Sequence, residues 1–284
     1  MVKAYRANSL TEALEITNKE ECLLFSGGTD LMVKNKQWSG VEPSFNENVV
    51  FIGHLQELKK IQINDEILTI GAACTCTDIA ESFIVPEYFK EVFLLMASPA
   101  IRNIATIGGN ICNSSPAGDS LPLLYALDVE LVINSLYGTK TVPISEFILG
   151  PGKNRLKNNE ILSDIKIKLS NFNNIFYKKV GTRRSTALSK ISFIGLAKVN
   201  DKNIEDIKIA FGAVAPTTIR SRDIEGKIIN MISESKEVYD IKSIKQMYSE
   251  LINPISDQRS TADYRKKTAL RLLEKFLISL IEDN

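Results

Sequence analysis

The amino-acid sequence predicts an α+β chain of two domains that part near residue 172. Three observations point there. At about 150 residues per domain, 284 residues make two domains, with ample material for a core. Short apolar runs alternate with helical periodicities through the first part of the chain. Beyond the polar stretch 171–174, three strand-length runs come first and helices only afterwards. The first domain is therefore expected over 1–172, with subdomains of about 1–58 and 59–172, and the second over 173–284.

The opening block reads as a βαβ unit. Ser9 to Glu12 (SLTE) has capping-box spacing and opens a helix through Leu14 and Ile16. The run Cys22-Leu23-Leu24-Phe25 is a strand that stops at the turn Ser26-Gly27-Gly28. Helical spacing resumes at Leu31, Met32 and Val33, and 49–52 is a buried strand. In the second block 67–71 is a strand, and Thr77 is positioned to cap a helix around Ile79 and Phe83. Helix follows over 87–97, a loop at Ser98-Pro99, helix again over 121–127 and strand over 129–133. The segment 161–169 alternates as a strand with one exposed face.

In the C-terminal part, 176–180, 193–199 and 207–214 read as one antiparallel meander. A cap signal at Ser260-Thr261-Ala262-Asp263 opens a long amphipathic helix. Its apolar stripe is Ala269, Leu273, Phe276, Leu277 and Leu280.

Composition removes several function classes. Lys plus Arg number 35 and Asp plus Glu 34, which gives no electrostatic case for nucleic acid. No stretch approaches the roughly 20 apolar residues that span a bilayer, and MVKAYRANSL lacks the apolar core of a signal peptide. The four cysteines, Cys22, Cys74, Cys76 and Cys112, fit neither zinc nor iron–sulfur spacing. The single histidine, His54, follows an apolar run and reads as a strand-end polar residue. The expectation is a reduced, cytoplasmic protein without membrane insertion and without its own metal.

The chemistry concentrates at two Gly-Gly pairs, Gly27-Gly28 and Gly108-Gly109. Glycine permits positive φ and has no Cβ, so consecutive N–H groups can converge on an anion. Either pair alone reads as a tight turn; two in one domain suit a diphosphate gripped from both sides. Neither matches GxGxxG or GxxxxGK[ST], which excludes Rossmann and P-loop readings. Thr29, Thr106 and Asn110 have side-chain donors for phosphate oxygens. Asp30 suits capping of the following helix.

The two motifs SGGTDLMVKNK (26–36) and IRNIATIGGNICNSSPAGD (101–119) resemble the FAD-binding subunit of the molybdenum hydroxylases. Supporting matches are LTIGA (68–72), ILGPGK (148–153), NEIL (159–162), YKKVGTRRSTALS (177–189) and AFGAVAPTTIRS (210–221). The resemblance spans nearly the whole chain. It implies a two-subdomain FAD-binding fold of the vanillyl-alcohol-oxidase/PCMH type, then a small CO-dehydrogenase-flavoprotein-like C-terminal domain.

Carried over by position, Ser26, Gly27, Gly28, Thr29, Asp30 and Leu31 form one side of the diphosphate cradle. Thr106, Ile107, Gly108, Gly109 and Asn110 form the other. Ala97 lies beside the cofactor and Asp119 contacts it, suited to a ribose or ribityl hydroxyl. Leu162 and Lys179 approach the flavin, Lys179 either holding negative charge there or standing as a solvated surface lysine. Covalent members of the broader fold place a histidine where Thr29 stands, so the FAD is expected to be non-covalent. Molybdopterin and [2Fe–2S] clusters belong to partners, a molybdopterin-binding large subunit and an iron–sulfur small subunit.

The function implied is electron transfer from those clusters through FAD to NAD(+), in xanthine or purine oxidation, with Tyr177 as one candidate shield for the nicotinamide. No residue of this chain is expected to be catalytic toward the heterocycle. The alternatives are the flavin subunit of another heterocycle or CO dehydrogenase, a standalone flavin oxidase, and a redox-inactive FAD-binding scaffold.

Overall fold

A computed structural model describes residues 2–183, 186–200, 203–234 and 240–282. It divides into two compact units: Met1–Ser114 with Asp128–Leu169, and Ser115–Leu127 with Ser170–Asn284.

The first unit opens as a βαβ unit. Strands β1 (Ala4–Arg6), β2 (Cys22–Phe25) and β3 (Asn48–Phe51) form a parallel sheet of order β1-β3-β2. Helix α1 (Leu10–Lys19) is N-capped by Ser9, whose side chain accepts from Glu12 N–H. Glu12 reaches back one residue further than a capping box requires, to Asn8 N–H. Helix α2 (Leu31–Lys34) follows β2. The core here is Leu14, Val50, Ile52, Leu55, Leu58 and Ile161 with alanines between them.

The rest of this unit is built on an antiparallel five-stranded sheet. Its strands are β4 (Ile61–Asn64), β5 (Ile67–Gly71), β6 (Glu130–Ser135), β7 (Gly138–Pro143) and β10 (Ile161–Lys168), in the order β4-β5-β10-β6-β7. Between β5 and β6 come α3 (Cys76–Glu81), α4 (Glu87–Leu94), α5 (Pro99–Arg102) and α6 (Ile107–Asn113). Helix α8 (Ile144–Phe147) and the small pair β8 (Ile148–Gly150) and β9 (Lys153–Asn154) lead into β10.

Two local expectations are corrected. The cap of α3 is Thr75, not Thr77: Thr75 Oγ1 accepts from Asp78 N–H while the Asp78 carboxylate accepts from Thr75 N–H. Thr77 instead donates to Asn103 Oδ1, and Phe83 lies fully exposed beyond the helix. Ser98-Pro99 is no plain loop, because Ser98 caps α5 with proline at its first position.

The second unit holds α7 (Leu121–Ala126), every residue of which is buried. A helix apolar all round must lie inside a core, and α7 packs against β12 (Ile191–Asn200) and β13 (Asn203–Gly212). With β11 (Asn174–Val180) and β14 (Ile219–Arg220) these strands form the expected antiparallel meander, in the order β11-β12-β13-β14. Helices α9 (Arg222–Glu234), α10 (Ile241–Leu251) and α11 (Ala262–Glu282) cover it. All five residues of the predicted α11 stripe are buried in this core, beside Phe193, Phe211 and Tyr248.

Candidate functional site

The loop 26–31 leaves β2 and enters α2. Gly28 has φ +69°, in the left-handed region that glycine adopts without strain. A Cβ on Gly27 would stand 2.0 Å from Ile104 O, so the absent side chain lets this loop close on the backbone leading into α6. The N–H groups of Gly27, Gly28, Thr29 and Asp30 meet no acceptor among the described residues, and the Thr29 hydroxyl is likewise unengaged. Consecutive open donors on a glycine turn are what the oxygens of an anion satisfy.

Asp30 is not a capping residue, which corrects the expectation for it. Its backbone is already helical (φ −90°, ψ −40°), so the carboxylate does not fold over the next N–H groups. It pairs instead with Lys34 Nζ at 2.7 Å. Lys34 Nζ also donates to Asn113 Oδ1 at 2.6 Å.

The second glycine segment is built differently. Thr106 N-caps α6: its Oγ1 accepts from Gly109 N–H at 3.2 Å and donates to Ser26 Oγ at 3.1 Å. Ile107 N–H donates to Cys74 O, Gly108 N–H to Ala72 O and Asn110 N–H to Thr106 O, at 2.9 to 3.0 Å. Every backbone donor from Ile107 to Asn110 is thus engaged within the chain. Within the chain itself the two expected donor segments thus differ: the N–H groups of Gly27 to Asp30 are open, and those of Ile107 to Asn110 and the Thr106 hydroxyl already have partners.

Gly108 is a packing position, since a Cβ there would meet Ala72 Cβ at 2.6 Å and Ala72 O at 2.7 Å. Gly109 lacks positive φ, and a Cβ there would meet only Thr106 Oγ1, at 2.9 Å.

A cleft of ≈ 220 Å³ in the same unit brings Ser26, Gly108, Gly109 and Leu162 together. Leu162 reaches it at a β-bulge, where the register of β10 against β6 shifts between Leu162 and Asp164. Leu24, Ile52 and Leu156 give apolar wall, and Cys22 and Cys112 also line the cleft, which no sequence signal indicated. Thr29, Asp30, Leu31 and Ala97 do not line it. Ala97 turns between α4 and α5 at φ +42°, and Arg102 Nη1 donates to Met96 O (2.8 Å) and Ala97 O (3.4 Å). Ile107 is fully buried and Asn110 half-buried in the first turn of α6.

In the second unit Asp119 and Lys179 meet. Lys179 Nζ lies 2.7 Å from Asp119 Oδ2, with both side chains about nine-tenths buried. Ser189 Oγ donates to Asp119 Oδ1. Lys179 is therefore a buried ion-pair partner and not a solvated surface lysine. Desolvated pairs hold only when further hydrogen bonds satisfy them, which Ser189 does here. Tyr177 is buried in β11, so it offers no open ring face as a shield. Residues 184 and 185 of the YKKVGTRRSTALS segment lie outside the described residues.

His54 lies in the turn beyond β3 and not at the strand's end, Nε2 standing 2.7 Å from Ala7 O. All four cysteines are free, and burial pushes the Cys74 and Cys76 thiols up to about 12. No described helix is long and apolar enough to cross a membrane.

Comparison with known proteins gives a family for each part of the chain. Residues 1–168 match the FAD binding domain in molybdopterin dehydrogenase, and residues 176–280 match the CO dehydrogenase flavoprotein C-terminal domain. A xanthine dehydrogenase FAD-binding subunit from Escherichia coli O157:H7 is 28% identical, over 92% of this chain and 89% of its own length. A glyceraldehyde dehydrogenase medium chain from Sulfolobus acidocaldarius is also 28% identical, over 95% of each. Among solved structures, a carbon monoxide dehydrogenase chain from Hydrogenophaga pseudoflava superposes with a TM-score of 0.84 at 23% identity, covering 96% of this chain and 95% of that one. That likeness bears on the fold, which is the two-domain α+β flavoprotein architecture. The open donor loop and the family match coincide within the first unit: the chain belongs to the FAD-binding family of the molybdopterin dehydrogenases, and FAD is its cofactor.

Proposed function

We propose that this chain is the electron-transfer subunit of a multi-subunit molybdenum hydroxylase. A molybdopterin-binding large subunit and a [2Fe–2S] small subunit deliver electrons, and NAD(+) receives them. The observation that carries the reading is the loop 26–31, whose four open N–H groups fit an anionic diphosphate. Bound FAD supplies the redox chemistry, exchanging single electrons with metal clusters and hydride with a nicotinamide. The chain's own residues bind and orient it. Gly27 to Asp30 donate to the diphosphate, the Thr29 hydroxyl adds a donor, and the cleft beside Leu162 takes an apolar part. Ala97, Asp119 and Lys179 remain proposed contacts on resemblance; the last two, already paired, act as a neutral unit. With Thr29 in place of a linking histidine the flavin is non-covalent, and acid precipitation should release it into the supernatant. A cytoplasmic location goes with this reading.

Xanthine or hypoxanthine is the proposed substrate of the assembly. The glyceraldehyde dehydrogenase relative, equally identical over slightly more of the chain, makes an aldehyde the second reading. The test uses the chain purified with its partners. Xanthine should drive NAD(+) reduction, and removal of FAD should stop it while sparing reduction of the clusters. Turnover of an aldehyde but of no purine moves the substrate to the second reading. A flavin that stays oxidised with every donor reduces the chain to a scaffold.

A further inference from the structure

The open loop carries a feature that works against an anion: the Asp30 carboxylate stands at its end. A diphosphate seated on the N–H groups of Gly27 to Asp30 would face that negative charge, and like charges within a few ångströms repel. One residue answers it. Lys34 Nζ lies 2.7 Å from Asp30 Oδ2, and its bond to Asn113 Oδ1 at 2.6 Å holds the ammonium in place. The loop is tied to the second glycine segment by Ser26 and Thr106, and α2 behind it to the end of α6 by Lys34 and Asn113, all within one unit.

We infer that Lys34 is a positioning residue for the cofactor: it masks the Asp30 carboxylate and so keeps the loop 26–31 receptive to a diphosphate. The inference rests on the proposed diphosphate role of that loop. Lys34 acts through Asp30 and needs no contact with the cofactor. Its side chain is 57% exposed and that of Asp30 48%, so solvent screens the pair and the effect is moderate.

The experiment is FAD titration of the full apo-chain, followed by flavin fluorescence. Lys34→Met should weaken FAD binding about three- to tenfold at low ionic strength, and by less than about twofold at 1 M salt, where the screening length is about 3 Å. On an Asp30→Asn background the same change should cost less than about twofold, because the charge to be masked is gone. Lys34→Arg should bind as the unsubstituted chain does. The thermal midpoint of the apo-chain separates masking from a structural role: a lysine that only holds α2 in place would lower it in Lys34→Met in step with the loss of affinity, whereas masking leaves it within about 1 °C. Equal losses on both backgrounds, or no loss on either, overturn the role of Lys34 and leave the loop's own role standing. An unsubstituted chain that takes up no FAD overturns the diphosphate role of the loop, and the masking role with it.

Discussion

The two glycine segments share a dipeptide and differ in almost everything else. In 26–31 one glycine allows a close backbone approach and the other a positive φ, and the donors stay open. In 106–110 one glycine allows close packing on Ala72, the other is an ordinary helical residue, and the backbone donors of Ile107 to Asn110 are engaged. The difference traces to what lies beside each segment: the carbonyls of Ala72 and Cys74 take two of these donors, the Thr106 carbonyl a third and the Thr106 hydroxyl the fourth. Thr106 stands three residues before Gly109 with extended backbone and folds back as a cap. The same hydroxyl also holds Ser26 Oγ, at the start of the first loop. Gly-Gly thus marks where backbone can come close; the carbonyls and hydroxyls that the fold brings beside it decide whether its N–H groups remain available.

This contrast can be broken at its strongest point first. Gly27→Val places a Cβ 2.0 Å from Ile104 O, a backbone atom that cannot swing away. Overpacking of this kind costs about 1–3 kcal/mol or more, and the loop should lose FAD as well. Urea midpoint and flavin occupancy measure the two losses. An unchanged midpoint would mean that the close approach is not obligatory.

Thr106→Ala comes next. Loss of the cap should cost about 1 kcal/mol, readable as a lower thermal midpoint of the apo-chain. Stability equal to that of the unsubstituted chain would show that Gly109 N–H finds another acceptor at no cost.

Gly109→Ala should have the smallest effect on folding, neutral or stabilising by up to about 1 kcal/mol, because alanine is the better helix former. Only Thr106 Oγ1, the end of a side chain 2.9 Å from the new Cβ, must shift. FAD affinity should nevertheless fall if the cofactor lies against this bare position of the cleft, as proposed. Full affinity with raised stability would reduce the second segment to a helix start.

An acid titration sharpens the baseline for these stability comparisons. Burial alone would raise the Glu160 carboxyl, but the Lys140 ammonium at 2.6 Å and the Lys157 N–H outweigh it and hold it below its ordinary 4.5. A lowered folded value means that its stabilisation is complete above about pH 4.5 and disappears as pH falls through the folded value. Glu160→Gln should therefore lower the midpoint at pH 7 and converge with the unsubstituted chain in acid. Parallel curves would show that the pair contributes nothing.

Much of the architecture was legible because it rests on local patterns. The run CLLF forms its strand, its four residues half-buried, and the alternation over 161–169 and the stripe from Ala269 to Leu280 bury the side chains their periodicity points inward. The α3 cap was misread although its signal was present: Thr75 and Asp78 have capping-box spacing, and Thr77 does not head it. Lys34 also had a signal, its i,i+4 spacing from Asp30. Ser189 had none, because it lies 70 residues from the carboxylate it serves.

By itself the sequence determined the element types, the positions of the glycine pairs and the family motifs, since propensity, periodicity and turn chemistry act over a few residues. Tertiary structure alone decided which core α7 joins, which partner neutralises Asp119, and which glycine loop keeps its donors open. The physical reason is common to all three. An apolar helix, a buried charge and a backbone N–H each require a partner, and the partner's identity depends on which distant segments the fold brings into contact.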